Sequence, residues 1–156
     1  MDNKIKNLKE TAEFFKRMNR KVLLYKLINQ AKAEYDNYNF QKGKELLNEA
    51  LRHDENNPVI MRGLGCCAQN EGNFEEALKY FTKALSLSDK KEVEYTLIGM
   101  LYYFQDNLNE ALRYFNLAID CNEEYEKAYE GRNQTMLENH LKIIDLQETL
   151  DKIYQK

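Results

Sequence analysis

The chain has 156 residues, a formal charge of -3, 43% hydrophobic and 31% charged residues, a size that fits one compact domain around one core. Its mild acidity gives no chain-wide case for a polyanionic partner, so nucleic acid is not expected. Cys66, Cys67 and Cys121 cannot all pair within one chain, and no apolar window is long enough to span a bilayer, so reduced thiols in a soluble, cytoplasmic protein are expected.

With a single proline, six glycines and long charged-apolar stretches at helical spacing, the sequence reads as all-α. Residues 1–23 predict a basic amphipathic N-terminal helix. Ile5, Leu8, Ala12, Phe15 and Val22 share one stripe, Phe14 and Met18 adjoin it, and basic residues lie opposite. Residues 1–26 carry eight basic and three acidic side chains, +5, which leaves -8 on the remainder. The leading expectation is a cap over the first exposed core. Glu10 and Glu13 dilute the charge, so contact with an anionic membrane is not favoured. A third reading puts Phe14 and Phe15 into the chain's own groove.

The stretch GNFEEALKYFTKALSLSD, residues 72–89, has a near-copy in DNLNEALRYFNLAIDCNE, residues 106–123. Gly65 and Gly99, Ala77 and Ala111, Phe81 and Phe115, and Ala84 and Ala118 each differ by 34, and a further step back reaches Ala31, Gly43, Leu47 and Ala50. Small residues at fixed offsets let paired helices approach closely, while the large ones fill the space between neighbouring pairs. Three helix-turn-helix units follow, over residues 24–57, 58–91 and 92–125.

Residues 126–156 predict a long C-terminal capping helix, interrupted by no proline and holding only Gly131. Its opening resembles the first helix of a fourth unit, and Tyr125, Ala128 and Tyr129 are the expected inward residues. Farther on, Met136, Ile143, Leu146, Leu150 and Ile153 follow 3-4 spacing, and Leu137, Leu141 and Ile144 widen the apolar face. That stripe either folds back on its own chain or pairs with another helix, so a homodimer through this segment is a second expectation.

These residues resemble the tetratricopeptide repeat family. Leu64, Gly65, Gly72, Phe74, Ala77, Phe81, Ala84 and Leu85 match the consensus of one unit, and Ile98, Gly99, Tyr102, Leu108, Ala111, Phe115, Ala118 and Ile119 that of the next. Leu27, Met61 and Tyr95 depart from it at the usual tryptophan, Ala68 at the usual tyrosine and Gly43 at the usual alanine. The resemblance implies a right-handed alpha-alpha superhelix, a solenoid whose concave groove binds a protein or peptide partner. It places in that groove Tyr25, Ile28, Asn29, Lys32, Tyr35 and Asp36 from the first unit. The second unit contributes Val59, Arg62, Gly63, Cys66, Gln69 and Asn70, and the third Val93, Thr96, Leu97, Met100, Tyr103 and Phe104. Tyr103 and Phe104 are the foremost candidates for ligand contact.

The family's clamp for chaperone tails ending in a carboxylate uses lysine, arginine and asparagine where this chain has Ile28, Lys32, Gly63, Val93 and Leu97. Without those donors, a carboxylate clamp is not expected. His53 and His140 stand far apart with no metal-ligand spacing, the adjacent Cys66 and Cys67 are not a redox C-x-x-C, and no glycine loop cradles phosphate. No enzyme activity, cofactor or metal is expected. The sequence thus predicts a non-enzymatic interaction scaffold, with self-assembly through the C-terminal helix as the alternative.

Overall fold

A computed structural model describes residues 2–154, with side chains from Lys6 onward, so Ile5 of the N-terminal stripe lies outside the described side chains. The described residues form seven helices and no strand: α1 (Asp2–Asp36), α2 (Phe40–His53), α3 (Pro58–Asn70), α4 (Phe74–Leu87), α5 (Lys91–Phe104), α6 (Leu108–Cys121) and α7 (Glu126–Tyr154). The three helix pairs, α1 with α2, α3 with α4 and α5 with α6, stack in chain order as an all-α helical-repeat solenoid, and α7 packs on α6 and α5 at its end.

The 34-residue step is built into the backbone. Tyr38, Gly72 and Asp106 turn the chain from the first helix of each pair to the second, and all three hold positive φ, between 62° and 75°. The next residue, Asn39, Asn73 or Asn107, opens the second helix. Asn73 accepts a hydrogen bond from the Glu76 N–H at 3.3 Å and donates to its carboxylate at 2.9 Å, a reciprocal cap. Asn107 accepts from the Glu110 N–H at 3.4 Å. Asn39 has Lys42 three residues on, makes no such cap, and donates instead to Glu34. Pro58 begins α3, where its missing N–H costs nothing, and Asn57 accepts from the Val59 and Ile60 N–H groups.

Ala50, Ala84 and Ala118 are fully buried where the helices of each pair meet, and Leu47, Phe81 and Phe115 fill the equivalent space in the three units. Glycine is required there by close approach. A Cβ on Gly65 would lie 2.5 Å from the Phe81 ring, and Cβ atoms on Gly99 and Gly131 would lie 2.9 and 2.3 Å from the Phe115 ring. Phe115 is therefore wedged between α5 and α7, and Gly131 is what lets α7 close onto the stack.

The N-terminal segment differs from the expected cap. It is the first part of α1, a single helix about 52 Å long, and every side chain from Lys6 to Leu23 is exposed. No glycine, proline or capping residue interrupts Val22-Leu23-Leu24-Tyr25-Lys26, so the helix entering the first unit continues outward. Phe14 and Phe15 are likewise exposed and do not enter the groove. At the other end, Ala128 and Thr135 are buried and Tyr129 is half-buried, and the Thr135 hydroxyl donates to the Gly131 carbonyl at 2.7 Å. Lys142 forms an ion pair with Asp106, the last tie to the stack. From Ile143 to Tyr154 α7 continues as helix with every side chain exposed, so it does not fold back. No described helix is long and apolar enough to cross a membrane.

Candidate functional site

Each pair reverses the chain, so α1, α3, α5 and α7 run the same way and present one side chain row after another along the groove. The expected groove residues divide by unit. In the first, Tyr25 is 72% exposed, Asn29 and Lys32 are exposed, and Ile28 packs against the core. The Tyr35 hydroxyl accepts a hydrogen bond from the Asn70 amide, which also donates to the Cys66 carbonyl at 2.9 Å, so a polar bridge crosses from the first unit to the second. Burial pushes the Tyr35 phenol above its ordinary range. Asp36 joins Tyr35, Tyr38, Phe40 and Asn70 around a shallow dent.

In the second unit Val59 is exposed, Gln69 is half-buried, and Gly63 makes room for Leu47, whose side chain a Cβ there would meet at 2.8 Å. Cys67 is buried and Cys66 half-buried. Burial, reinforced by the neighbouring thiol, pushes Cys66 up to about 11, so it is held as an inert thiol. Arg62 reaches across to Glu94, a fully buried carboxylate, with its Nε at 3.1 and 3.2 Å from the two oxygens and a guanidinium nitrogen on one of them. A carboxylate so buried needs this charge-assisted partner. Arg62 is only 28% exposed and is already neutralised, so it offers little to an incoming anion.

The third unit forms a cleft. Val93, Thr96, Leu97, Met100, Tyr103 and Phe104 make one wall, Lys127, Glu130, Gly131 and Gln134 of α7 make the other, and Arg62 and Tyr125 also line the space, which measures about 730 Å³. Phe104 is 56% and Met100 39% exposed, while Tyr103 lies against Phe104 edge to face, ring centres 5.9 Å apart. Thr96 is buried and its hydroxyl donates to the Glu92 carbonyl at 2.8 Å, so it shapes the wall without a free polar group.

The α7 wall is absent from the expected set. Lys127, Glu130, Gly131 and Gln134 lie one further 34-residue step beyond Val93, Thr96, Leu97 and Met100. The start of α7 thus serves as the first helix of a fourth unit, and the same step would have found it. Glu94 was also unforeseen, because a lone glutamate near a helix start is ordinarily solvated and nothing local marks its burial against Arg62. Among the described residues no three histidine, cysteine or acidic side chains converge as metal ligands.

Family models described as tetratricopeptide repeat match residues 58–91 and 95–125. These two units are tetratricopeptide repeats. No curated protein matches it by sequence. Among solved structures, this tetratricopeptide repeat protein resembles a Thermobaculum terrenum O-GlcNAc transferase mutant (TM-score 0.69, 14% identity), over 75% of this chain but only 22% of the transferase. The first tetratricopeptide repeat of Spaghetti (RPAP3), bound to the HSP90 peptide SRMEEVD, aligns with 75% of this chain and 93% of its own (TM-score 0.65, 13% identity). The Yersinia enterocolitica type III secretion chaperone SycD, in complex with a peptide of the translocator YopD, aligns with 74% and 94% (TM-score 0.64, 15% identity). At these identities the likeness is one of fold.

Proposed function

We propose that the chain is a non-enzymatic adaptor that grips an amphipathic helix or extended apolar segment of a partner protein in the cleft between α5 and α7. The cleft itself carries this reading: a 730 Å³ concavity with Met100, Tyr103 and Phe104 on one wall, open to solvent and too large for one side chain. Aromatic rings give large contact area at small entropic cost, and Lys127, Glu130 and Gln134 at the far wall supply polar groups that fix register. The peptide-bound Spaghetti and SycD structures support use of this fold for peptide capture. Three unpaired cysteines fit a reducing, cytoplasmic setting.

The cleft is not a carboxylate clamp. Val93 and Leu97 are apolar, Gly63 has no side chain, and Arg62 is committed to Glu94. A terminal carboxylate entering here would exchange water for few charge-assisted hydrogen bonds. The test is peptide display selection on the immobilised full chain, followed by calorimetry of the selected peptides beside SRMEEVD. Apolar residues spaced i, i+3 or i+4, i+7 should be enriched, and Phe104→Ala should weaken their binding by roughly tenfold or more. Tight binding of SRMEEVD that is lost on amidating its C-terminus would overturn the reading.

A further inference from the structure

The cleft between α5 and α7 has two unlike walls. Val93, Leu97, Met100 and Phe104 make the α5 wall largely apolar, while Lys127, Glu130 and Gln134 stand along the α7 wall. From Val93 to Phe104 the α5 wall runs about 16 Å, three helical turns.

Neither wall offers hydrogen bonds to a ligand's backbone. Both are helices whose N–H and C=O groups bond within the helix along the cleft. The Thr96 hydroxyl is engaged by the Glu92 carbonyl and the Arg62 guanidinium by Glu94. An extended segment of about 16 Å would hold about five residues, each with an N–H and a C=O. Those turned toward Val93, Leu97, Met100 and Phe104 would lose water without gaining a partner. A helix of about eleven residues covers the same length, satisfies its backbone internally and presents only side chains.

The charges on the lining also differ in their availability. Arg62 is matched by Glu94. Lys127 and Glu130, one turn apart on α7, are both exposed, and among the described residues neither forms an ion pair with the other or with a neighbour. They therefore stand opposite whatever flank a ligand turns toward α7, one positive and one negative.

We propose that the ligand of this cleft is an amphipathic α-helix of about three turns, with its apolar stripe on α5 and two opposite charges on the flank facing α7. An acidic residue lies opposite Lys127 and a basic residue, one turn away, opposite Glu130. This rests on the cleft being the peptide site, and it narrows that site to one ligand conformation and one charge pattern. The apolar stripe supplies the contact area, and the two charge pairs fix register and direction.

The experiment is a parallel selection from a library of random peptides about 16 residues long, enough for three turns with flanks. One target is the full chain and the other the full chain carrying Lys127→Glu together with Glu130→Lys. Both side chains are exposed and the net charge is unchanged, so circular dichroism and melting should match the parent. Peptides selected on the parent should carry the opposite charges one turn apart and bind the swapped chain about tenfold more weakly or worse, because two like-charge contacts replace two ion pairs. Peptides selected on the swapped chain should carry the two charges in reversed order. A proline placed centrally, on the face of the peptide away from the stripe, should also weaken binding about tenfold or more, where alanine at the same place should not. Tolerance of that proline overturns the helix, and indifference to the swap overturns the charge pairing. In either case, weaker binding by Phe104→Ala shows that peptide capture in the cleft still stands. A library that yields no binder on the parent overturns the adaptor reading itself, and this inference with it.

Discussion

The first and third units share one register and reach different ends. In the third, Asn107 caps the second helix, Phe115 is locked between two glycines, and α7 supplies a far wall, so the groove residues face one another across a cleft. In the first, Asn39 makes no cap to the following helix, the smaller Leu47 stands where the phenylalanines do, and α1 runs on into solvent with Tyr25 bare. The repeat alone therefore builds a scaffold. A cleft arises only where the next parallel helix closes the row.

The largest way to break that difference is to remove its wedge. Phe115→Ala empties a pocket shared by α5, α6 and α7 and should cost about 3–5 kcal/mol, with α7 loosening as Gly131 loses the ring beneath it. Leu47→Ala at the equivalent site should cost about 2 kcal/mol, since a smaller group leaves a smaller void and no seventh helix depends on it. Urea denaturation read by circular dichroism gives both values. Equal losses would show that α7 takes no stability from Phe115.

A smaller effect tests how neighbouring units are tied. Glu94→Gln leaves the Arg62 charge facing a neutral amide in a closed site, a loss of about 2 kcal/mol once the partial exposure of Arg62 is allowed for. The corresponding tie near the first unit, Lys44 to Glu71 at 2.7 Å, lies at the surface. Its Glu71→Gln variant should lose no more than about 0.5 kcal/mol. Comparable losses from the two would remove the buried pair as a distinguishing feature of the cleft end.

The sequence made most of the scaffold legible, because its requirements are local and periodic. Small residues must sit at Gly65, Gly99, Ala84 and Ala118 for helices to touch, and a 34-residue step exposes them at once. The residues of the third unit that line the cleft stand in the same register. What escaped depends on where a helix stops and on pairs remote in sequence. Nothing in Val22 to Lys26 breaks α1, yet a stack needs a cap, and the expectation of one outweighed the missing break. The α7 wall was hidden because no second helix follows it, although its first helix keeps the step. Glu94 and Arg62 stand 32 residues apart, and their burial is a property of the stack rather than of either helix.

The smallest test compares the turns themselves. Tyr38, Gly72 and Asp106 occupy the same left-handed position, yet only Gly72 pays no Cβ penalty there, and aspartate tolerates it better than tyrosine. Tyr38 is also 82% exposed, and its ring meets Phe40 edge to face at 6.1 Å. Tyr38→Gly should relieve the backbone strain but lose that contact and add chain entropy to the unfolded state, for a net gain of about 0.5 kcal/mol. Gly72→Ala should move the other way by about 1 kcal/mol, although nothing lies within 4 Å of the added Cβ, because the penalty is in φ and not in space. Thermal melts of the two variants read opposite signs if one turn geometry serves every unit. A destabilised Tyr38→Gly would mean that the tyrosine's contact with Phe40 outweighs the strain, and that the first unit holds its turn by side-chain packing where the second uses glycine.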